Sequence, residues 1–360
     1  MAVTVVSRPR LSHAPDEVST YVVATAVWAP SVHNTQPWRY TAEGAELTLR
    51  ADAGRQLAVA DPSGREMMIS CGAALFTARL ALRSLGYVPE TRVLPDPDDP
   101  LLVARLRWRR RAPPTAWEQR LFSQVTRRRT HRGGFEPVPP PPGLIEALRQ
   151  AAALYDTALR VAITDQARAV LAAITETADR VERLDSSYAR ELAAWAPPPG
   201  SARLDGVPAS AYPARPERTS PYFPGRDFAQ GHGWGLAYST RISPARFTGV
   251  VCLLTTPADG PAAWVNAGQS LQRILLASAA RGVTAALHSQ PVEVAWQREA
   301  IRAQLGDGSY PQLVLRLGTV LETAISIRRP VPSVLTVSPA HYQGPRPRGP
   351  TPEGRRSRRH

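Results

Sequence analysis

The chain has 360 residues, of which 43% are apolar and 21% are charged, an ordinary balance for a globular protein with a substantial core. No window approaches the length of an uninterrupted apolar membrane span, and the first residues lack the apolar segment of a signal peptide, so we expect a cytoplasmic protein. The formal charge of +14 comes from arginine alone, because the sequence contains no lysine.

The first half begins with an amphipathic pattern that predicts a helix over residues 16–28, which Pro30 ends. The stretch APSVHNTQPW follows at 29–38, and alternating residues around Glu43 and Gly44 predict a hairpin over 39–51. Residues 63–86 are apolar on nearly all sides, which indicates a buried helix. Two strands are predicted after it, at 88–94 and 101–108.

The second half alternates predicted helices and strands around one irregular stretch. Residues 197–224 contain eight prolines, so we expect a long loop that reaches to about residue 247. A lid over a binding site and a disordered linker both fit this composition. The predicted helices are 116–129, 144–154, 166–194, 262–281 and 294–305, and the predicted strands are 158–164, 248–256, 283–289 and 312–318.

The two halves show a weak internal repeat. Aligning Gly72 with Gly268 also matches Leu75 with Leu271, and Leu80, Ala81 and Gly86 find identical partners at the same offset of 196 residues. If the repeat is structural, two similar α+β halves pack their central helices against each other within one chain.

Residues 340–360 carry six arginines and one glutamate among prolines and glycines. Such a segment cannot bury apolar surface, and we expect disorder there and before residue 15. Electrostatic contact of the basic tail with nucleic acid or an anionic membrane stays open, but without interleaved aromatic residues the sequence predicts no specific nucleic-acid partner and no membrane partner.

Protein side chains alone offer no recognisable catalytic set. The histidines lack metal-ligand spacing, and neither a nucleophile elbow nor a phosphate-binding glycine loop is present, so attention turns to a bound cofactor. In the 29–38 stretch, Ser31, Asn34 and Gln36 suit the edge of a flat heteroaromatic ring, while Pro30 holds the backbone extended. The alternative is a helix stop and turn that Trp38 anchors in the core.

A second stretch, RRRTHRGGF at 127–135, is rich in arginine. Guanidinium groups match phosphate oxygens, so Arg128, Thr130 and Arg132 suit a phosphomonoester. The alternative is a solvated basic face at the end of a helix.

Together these stretches resemble motifs of the nitroreductase family of flavin-dependent oxidoreductases. APSVHNTQPW is similar to the family's A-P-S-x-x-N-x-Q-P-W loop, and RRTHR at 128–132 is similar to its R-R-S-x-R motif, with threonine in place of serine. The run NAGQSLQRILLASAARGVTAALHSQPVE, then LVLRLG and RRPVPSV, resembles the family's central helix, flavin-edge strand and closing arginine segment. The motif order departs from that of the homodimeric members, because each half keeps the motif that the other half lacks.

This arrangement resembles the single-chain, duplicated branch of the family that includes the Acg proteins. It implies an α+β nitroreductase-like fold in which halves 15–112 and 113–338 form an intrachain pseudo-dimer, a monomer with one composite FMN site and a lid-like insertion at about 197–246. The cofactor-binding residues that the resemblance implies are Pro30, Ser31, Asn34, Gln36, Arg128, Arg129, Thr130, Arg132, Ser289, Gln290, Arg328 and Arg329.

The resemblance also implies a function. Hydride would pass from NAD(P)H through flavin N5 to a quinone-like or nitroaromatic acceptor, with the flavin supplying the chemistry and no protein residue acting as acid or base. The alternative is a flavin-binding or flavin-sequestering protein whose lid blocks turnover.

Overall fold

The computed structural model describes residues 14–214, 217–230, 232–236, 246–321 and 324–338. Of the segments expected to be disordered, 1–14 and 339–360, all but residue 14 lie outside these residues, as does part of the 197–246 insertion. Among the described residues, every helix is too short or too polar to span a bilayer. The helices are α1 (Pro15–Ala26), α2 (Arg65–Ser84), α3 (Ala116–Phe122), α4 (Leu144–Ala153), α5 (Asp165–Leu184), α6 (Ser186–Ala194), α7 (Pro261–Ala279), α8 (Gln290–Glu293) and α9 (Ala295–Leu305).

The strands form two five-stranded sheets and one short pair. The first sheet has the order β12-β1-β2-β4-β3, the second has the order β5-β10-β11-β9-β6, and β7 pairs with β8. The strands are β1 (Trp38–Glu43), β2 (Glu46–Ala51), β3 (Tyr87–Val93), β4 (Leu102–Arg111), β5 (Thr130–His131), β6 (Ala158–Val161), β7 (Thr219–Ser220), β8 (Arg246–Phe247), β9 (Val250–Thr256), β10 (Thr284–His288), β11 (Tyr310–Gly318) and β12 (Leu335–Val337).

The two sheets repeat one topology, which confirms the predicted α+β fold with two similar halves. The antiparallel pair β1–β2 precedes central helix α2, and β6–β9 precedes central helix α7. The pair β3–β4 follows α2 and joins the first sheet because β4 pairs with β2. The pair β10–β11 follows α7 and joins the second sheet because β11 pairs with β9. The halves are therefore related by the sequence repeat.

Helices α2 and α7 cross at the glycines that the repeat aligned. A Cβ on Gly72 would overlap the carbonyl oxygen of Val265, and a Cβ on Gly268 would overlap that of Ile69. The offset that relates Gly72 to Gly268 also relates Ile69 to Val265, so the crossing is a pseudo-twofold contact. Close approach of the two backbones requires glycine at both positions.

The chain's C-terminal segment returns to the first half. We call residues 324–338 the C-terminal arm. Its strand β12 runs parallel to β1, with Tyr40 opposite Leu335, and Tyr40 N–H donates to Val334 O at 2.7 Å. This strand was not predicted, because three residues of alternating polarity carry too little signal.

Two predicted helices have different limits in the structure. The helix expected over 166–194 is two helices, because Asp185 leaves the helical conformation and its carboxylate caps α6 by accepting from Ser187 N at 2.7 Å. The helix expected over 116–129 ends at Phe122, and hydrogen-bonded turns carry the chain on to Arg128.

Described residues of the 197–246 insertion pack against the first half. Val207, Tyr212 and Phe228 are buried in one apolar cluster with Leu57 from the first half and Leu192 from α6. The described part of this proline-rich stretch therefore packs against the first half and α6.

Candidate functional site

A cavity lies where the two halves and the insertion meet. Its volume is about 110 Å³. Its wall combines residues of the 29–38 stretch and α2, residues of the 127–135 stretch and the second sheet, and Gly225, Arg226 and Phe228 of the insertion. Six of the residues proposed from sequence line it: Pro30, Ser31, Thr130, Arg132, Ser289 and Gln290.

The 29–38 stretch, the A-P-S loop, has an unusual backbone. Pro30 follows the end of α1, a single 3-10 turn covers Val32–Asn34, and His33, Asn34 and Gln36 all have positive φ between 44° and 55°. Non-glycine residues rarely adopt this region, so the surrounding contacts must stabilise it. Ser31 Oγ does so by accepting from Gln36 N at 3.0 Å.

The amides of Asn34 and Gln36 bind protein backbone and do not line the cavity. Asn34 Nδ2 donates to Gly206 O at 2.9 Å in the insertion and to Ile327 O at 3.2 Å in the C-terminal arm. Gln36 Nε2 donates to the insertion at Leu204 O, at 2.9 Å, while its Oε1 accepts from Arg329 N at 2.8 Å. In this structure both residues fasten the insertion and the arm to the A-P-S loop.

Four arginines gather beside one end of the cavity: Arg128, Arg129, Arg132 and Arg328. We call them the arginine cluster. Arg128 is buried, with only 5% of its surface exposed, and the other three are half-buried. Among the described residues, none of the four pairs with a carboxylate. Arg329, also proposed from sequence, lies apart from the cluster and donates to Ser333 O at 2.7 Å.

Trp28 at the end of α1 organises the arginine cluster. Its carbonyl oxygen accepts from Arg128 and Arg328, both at 3.3 Å. Arg129 and Arg328 lie over its ring, with guanidinium carbons 5.3 and 5.5 Å from the ring centroid. The first half therefore positions arginines that come from the second.

The arginine cluster carries uncompensated positive charge. Burial, together with the charges of Arg129 and Arg132, lowers the pKa of Arg128 to about 9, and burial lowers the pKa of Arg132 to about 10. Burial and the other three guanidinium groups lower the pKa of Arg328 well below its ordinary value. Within the described part of the chain, the Nε atoms of Arg128 and Arg328 are buried and have no hydrogen-bond partner. Such a cluster is complementary to a multiply charged anion such as a phosphate.

An acidic cluster, which the sequence interpretation missed, adjoins the same cavity. It consists of Asp61, Glu66 and Glu182, which are buried, and Glu293, which is half-buried but whose side chain is only 3% exposed. Arg226 of the insertion ion-pairs with Glu293 and donates to Glu182 Oε2 at 3.4 Å. No spacing in the sequence brings these residues together, although the Arg-Glu pair that opens the apolar helix α2 was a visible signal of buried charge.

The carboxyl groups of the acidic cluster differ in protonation. Although burial alone would raise it, the Arg226 guanidinium lowers the pKa of Glu293 to about 2. Burial raises the pKa of Asp61 to about 6 and that of Glu182 to about 9. Burial, with the charge of Glu293, raises the pKa of Glu66 well above its ordinary value. At neutral pH the cluster therefore holds protons beside the cavity.

Ser289 and Gln290 lie directly after β10, at the cavity wall. Arg226 donates to Ser289 Oγ at 3.0 Å, so the insertion is bonded to this strand end. The preceding residue, His288, accepts at Nε2 from Arg316 Nε at 2.8 Å. Arg316 is buried between the rings of Phe135 and Phe223 and was also missed from sequence. It fixes the strand end where the two polar side chains enter the cavity.

No family model matches the sequence, but proteins of Mycobacterium tuberculosis H37Rv match most of it, Rv3131 and Acg among them. Rv3131, named as an NAD(P)H nitroreductase, is 36% identical over 310 residues, which cover 85% of this chain and 87% of the relative. Acg, named likewise, is 30% identical over 331 residues, which cover 89% of this chain and 97% of the relative. The chain belongs to the nitroreductase family.

Nitroreductase family membership confirms the relationship predicted from the A-P-S loop and the RRTHR segment. Among solved structures, a nitroreductase with bound FMN from Desulfitobacterium hafniense DCB-2 is 16% identical. It aligns with a TM-score of 0.35 over 57% of this chain and 92% of its own chain.

Proposed function

We propose that the protein is an FMN-dependent NAD(P)H oxidoreductase that reduces a quinone-like or nitroaromatic acceptor. The observation that carries the proposal is the arginine cluster, which has no carboxylate partner among the described residues and lies beside a cavity that both halves line. Family membership supports it, because relatives over nearly the whole length are named as NAD(P)H nitroreductases. One chain would then hold one cofactor at the seam of its pseudo-dimer.

The residues present fit FMN. Arg128, Arg132 and Arg328 would hold the phosphate, which would satisfy the buried Nε atoms that lack partners. Pro30, Ser31 and Thr130 line the same cavity and would border the ribityl chain or ring, while Ser289 and Gln290 would approach the ring from the end of β10. Arg129 would act through its neighbours, since its guanidinium group lies over Trp28.

Asn34 and Gln36 would support the cofactor indirectly. Arg328 donates to Asn34 Oδ1 at 3.1 Å, so Asn34 would orient a guanidinium group of the phosphate site. Gln36 would hold the arm through Arg329 N. We therefore propose that the A-P-S loop contributes Pro30 and Ser31 to the cofactor, and that its two amides build the wall behind them.

Bound FMN would supply hydride transfer at ring N5, and the chain's own residues would bind, orient and exclude water. The insertion places Arg226 and Phe228 in the cavity wall, where they would limit access of solvent and of the second substrate. Because Arg226 is held by Glu293, Glu182 and Ser289, opening this wall requires breaking a buried ionic network.

The fastening of the insertion favours a second candidate function, that of a flavin-binding protein without turnover. An insertion fastened to the A-P-S loop at Gly206 and Leu204, and to the second half through Arg226, would exclude nicotinamide if it does not open. Anaerobic addition of NADPH to the purified protein separates the two functions. Bleaching of a bound yellow chromophore supports the oxidoreductase, and an unchanged spectrum supports the storage protein.

A further inference from the structure

The side chain of Glu66 reaches the cavity from the first turn of α2. The residue is 5% exposed, and among the described residues that line the cavity it alone carries a carboxyl group. Its Oε1 accepts from Arg65 at 2.8 Å, but its Oε2 is buried and makes no hydrogen bond to any residue that the structure describes. A buried carboxyl oxygen without a partner is costly, so this atom is placed to meet a ligand.

The charges around Glu66 favour its protonated form. The groups that face it are Asp61 before α2, Arg65 on α2, Glu293 on α8 and Arg226 on the insertion. Arg226 is already paired with Glu293 and Glu182, and Arg65 also donates to Gln312 O at 2.7 Å. Four carboxyl groups share two guanidinium groups in a buried region, and full ionisation would leave net negative charge without solvation. Glu66 therefore carries a proton into the cavity at neutral pH.

Two other polar groups of the wall, His33 and Gln290, cannot replace this proton source. Burial and the charge of Arg226 lower the pKa of His33 to about 3, so its imidazole is neutral. Gln290 Nε2 is a buried donor without a partner, but an amide does not release a proton. The Gln290 amide can instead donate a hydrogen bond to a carbonyl or nitro oxygen and orient that oxygen toward the carboxyl group of Glu66.

We propose that Glu66 is the catalytic proton donor to the electron acceptor, an inference that rests on the proposed function. A quinone-like acceptor that takes two electrons as hydride still needs one proton on oxygen. The O–H bond of Glu66 breaks and an O–H bond forms on that oxygen, which leaves a neutral hydroquinone-like product and a Glu66 carboxylate. NAD(P)H supplies the hydride, and solvent returns the proton to Glu66 after the product leaves.

The test compares Glu66→Gln with Glu182→Gln. Both changes replace a protonated carboxyl group of the acidic cluster by an amide of the same shape, but Glu182 does not line the cavity. Purified flavin-bound protein is reduced chemically, mixed with benzoquinone between pH 6 and pH 9, and followed by flavin absorbance. The infrared band of buried protonated carboxylic acids is recorded on the same three proteins without turnover.

For Glu66→Gln we expect reoxidation by quinone to slow by about 100-fold or more, the typical contribution of a general acid, and a part of the infrared band to disappear. The rate of wild type and of Glu182→Gln should fall as pH rises through the pKa of Glu66, while the rate of Glu66→Gln should not vary with pH. Reoxidation of Glu66→Gln at the wild-type rate overturns the proposal, as does equal slowing in both variants or no infrared loss specific to Glu66→Gln. A wild-type protein that binds no flavin overturns the proposed function and this proposal together. If NAD(P)H does not reduce the bound flavin, the proposed oxidoreductase function is wrong. Reoxidation of the chemically reduced protein by benzoquinone still tests the role of Glu66 in that case.

Discussion

The guanidinium group of Arg328 donates to Asn34 Oδ1 at 3.1 Å, although the two residues are 294 positions apart in the chain. This bond joins the A-P-S loop of the first half to the arm that ends the second. It also links two sequence motifs that were predicted to approach the cofactor separately. The arginine cluster is therefore completed only when the arm returns to the first half.

Replacing Asn34 by Ala should loosen the arm and the insertion together. The change removes the donor to Gly206 O and Ile327 O and the acceptor of Arg328, and each lost hydrogen bond of a buried group lowers the free energy of unfolding by about 1–3 kcal/mol. Urea denaturation and limited proteolysis within 197–246 measure this effect. Asn34→Asp loses the same two donors but keeps the acceptor for Arg328, so it separates the bonds to Gly206 and Ile327 from the bond to Arg328. Unchanged stability and proteolysis in Asn34→Ala would contradict the fastening role.

Replacing Arg128 or Arg132 by Ala should weaken FMN binding. Each charge-assisted hydrogen bond to phosphate is worth about 1.5–3 kcal/mol, which corresponds to roughly 10- to 200-fold in Kd. Titration of flavin-free protein with FMN, followed by quenching of flavin fluorescence, measures the loss. The control is Arg105→Ala, because Arg105 is exposed on β4 and does not line the cavity. This variant should bind FMN as wild type does. Equal affinities in all four proteins would show that the phosphate lies elsewhere.

Stability should fall as pH rises from about 4.5 to about 9 because of Glu182. Its pKa is about 9 in the folded protein and about 4.5 when unfolded, so the folded state binds more protons between these values. The resulting stabilisation is full below pH 4.5 and is lost as pH rises toward 9, by up to about 1.4 kcal/mol per pH unit. Urea denaturation at pH 5, 7 and 9 should show a smaller decline for Glu182→Gln than for wild type. If the free energy of unfolding depends on pH equally in both proteins, Glu182 does not cause the predicted decline.

A side chain at the helix crossing should prevent close packing of the halves. In Gly268→Ala the added methyl group meets the backbone carbonyl of Ile69, which cannot move aside as a flexible side chain would. Overpacking of this kind costs about 1–3 kcal/mol or more and should lower Tm. Gly260→Ala, before the first turn of α7, meets no atom within 4 Å and should leave Tm close to that of wild type. A Tm for Gly268→Ala equal to that of this control would contradict the tight crossing.

Much of the fold could be predicted from sequence because its elements carry local signals. The apolar pattern of α2, the hairpin around Gly44 and the aligned glycines at 72 and 268 all report local geometry or packing. The break at Asp185 was missed, although an aspartate followed by two serines is a typical start of a helix. Strand β12 was missed because its pairing partner lies near the other end of the chain.

The candidate site could be predicted only in part. The A-P-S loop and the arginine stretch were found because their residues are contiguous, and the structure brings Ser31 and Arg132 to one cavity. The acidic cluster was missed because its members come from separate elements and meet only through tertiary packing. The contacts of Asn34 and Gln36 with the insertion depend on a proline-rich stretch whose path no local pattern determines.

The most direct test of the account is a titration of flavin-free protein with FMN and with riboflavin, which differ by the phosphate. We expect one FMN per chain, and riboflavin binding weaker by at least about 100-fold, because the arginine cluster would have no anion to hold. Absence of FMN binding, equal affinity for FMN and riboflavin, or binding of two FMN molecules per chain would contradict a single phosphate-binding site between the two halves.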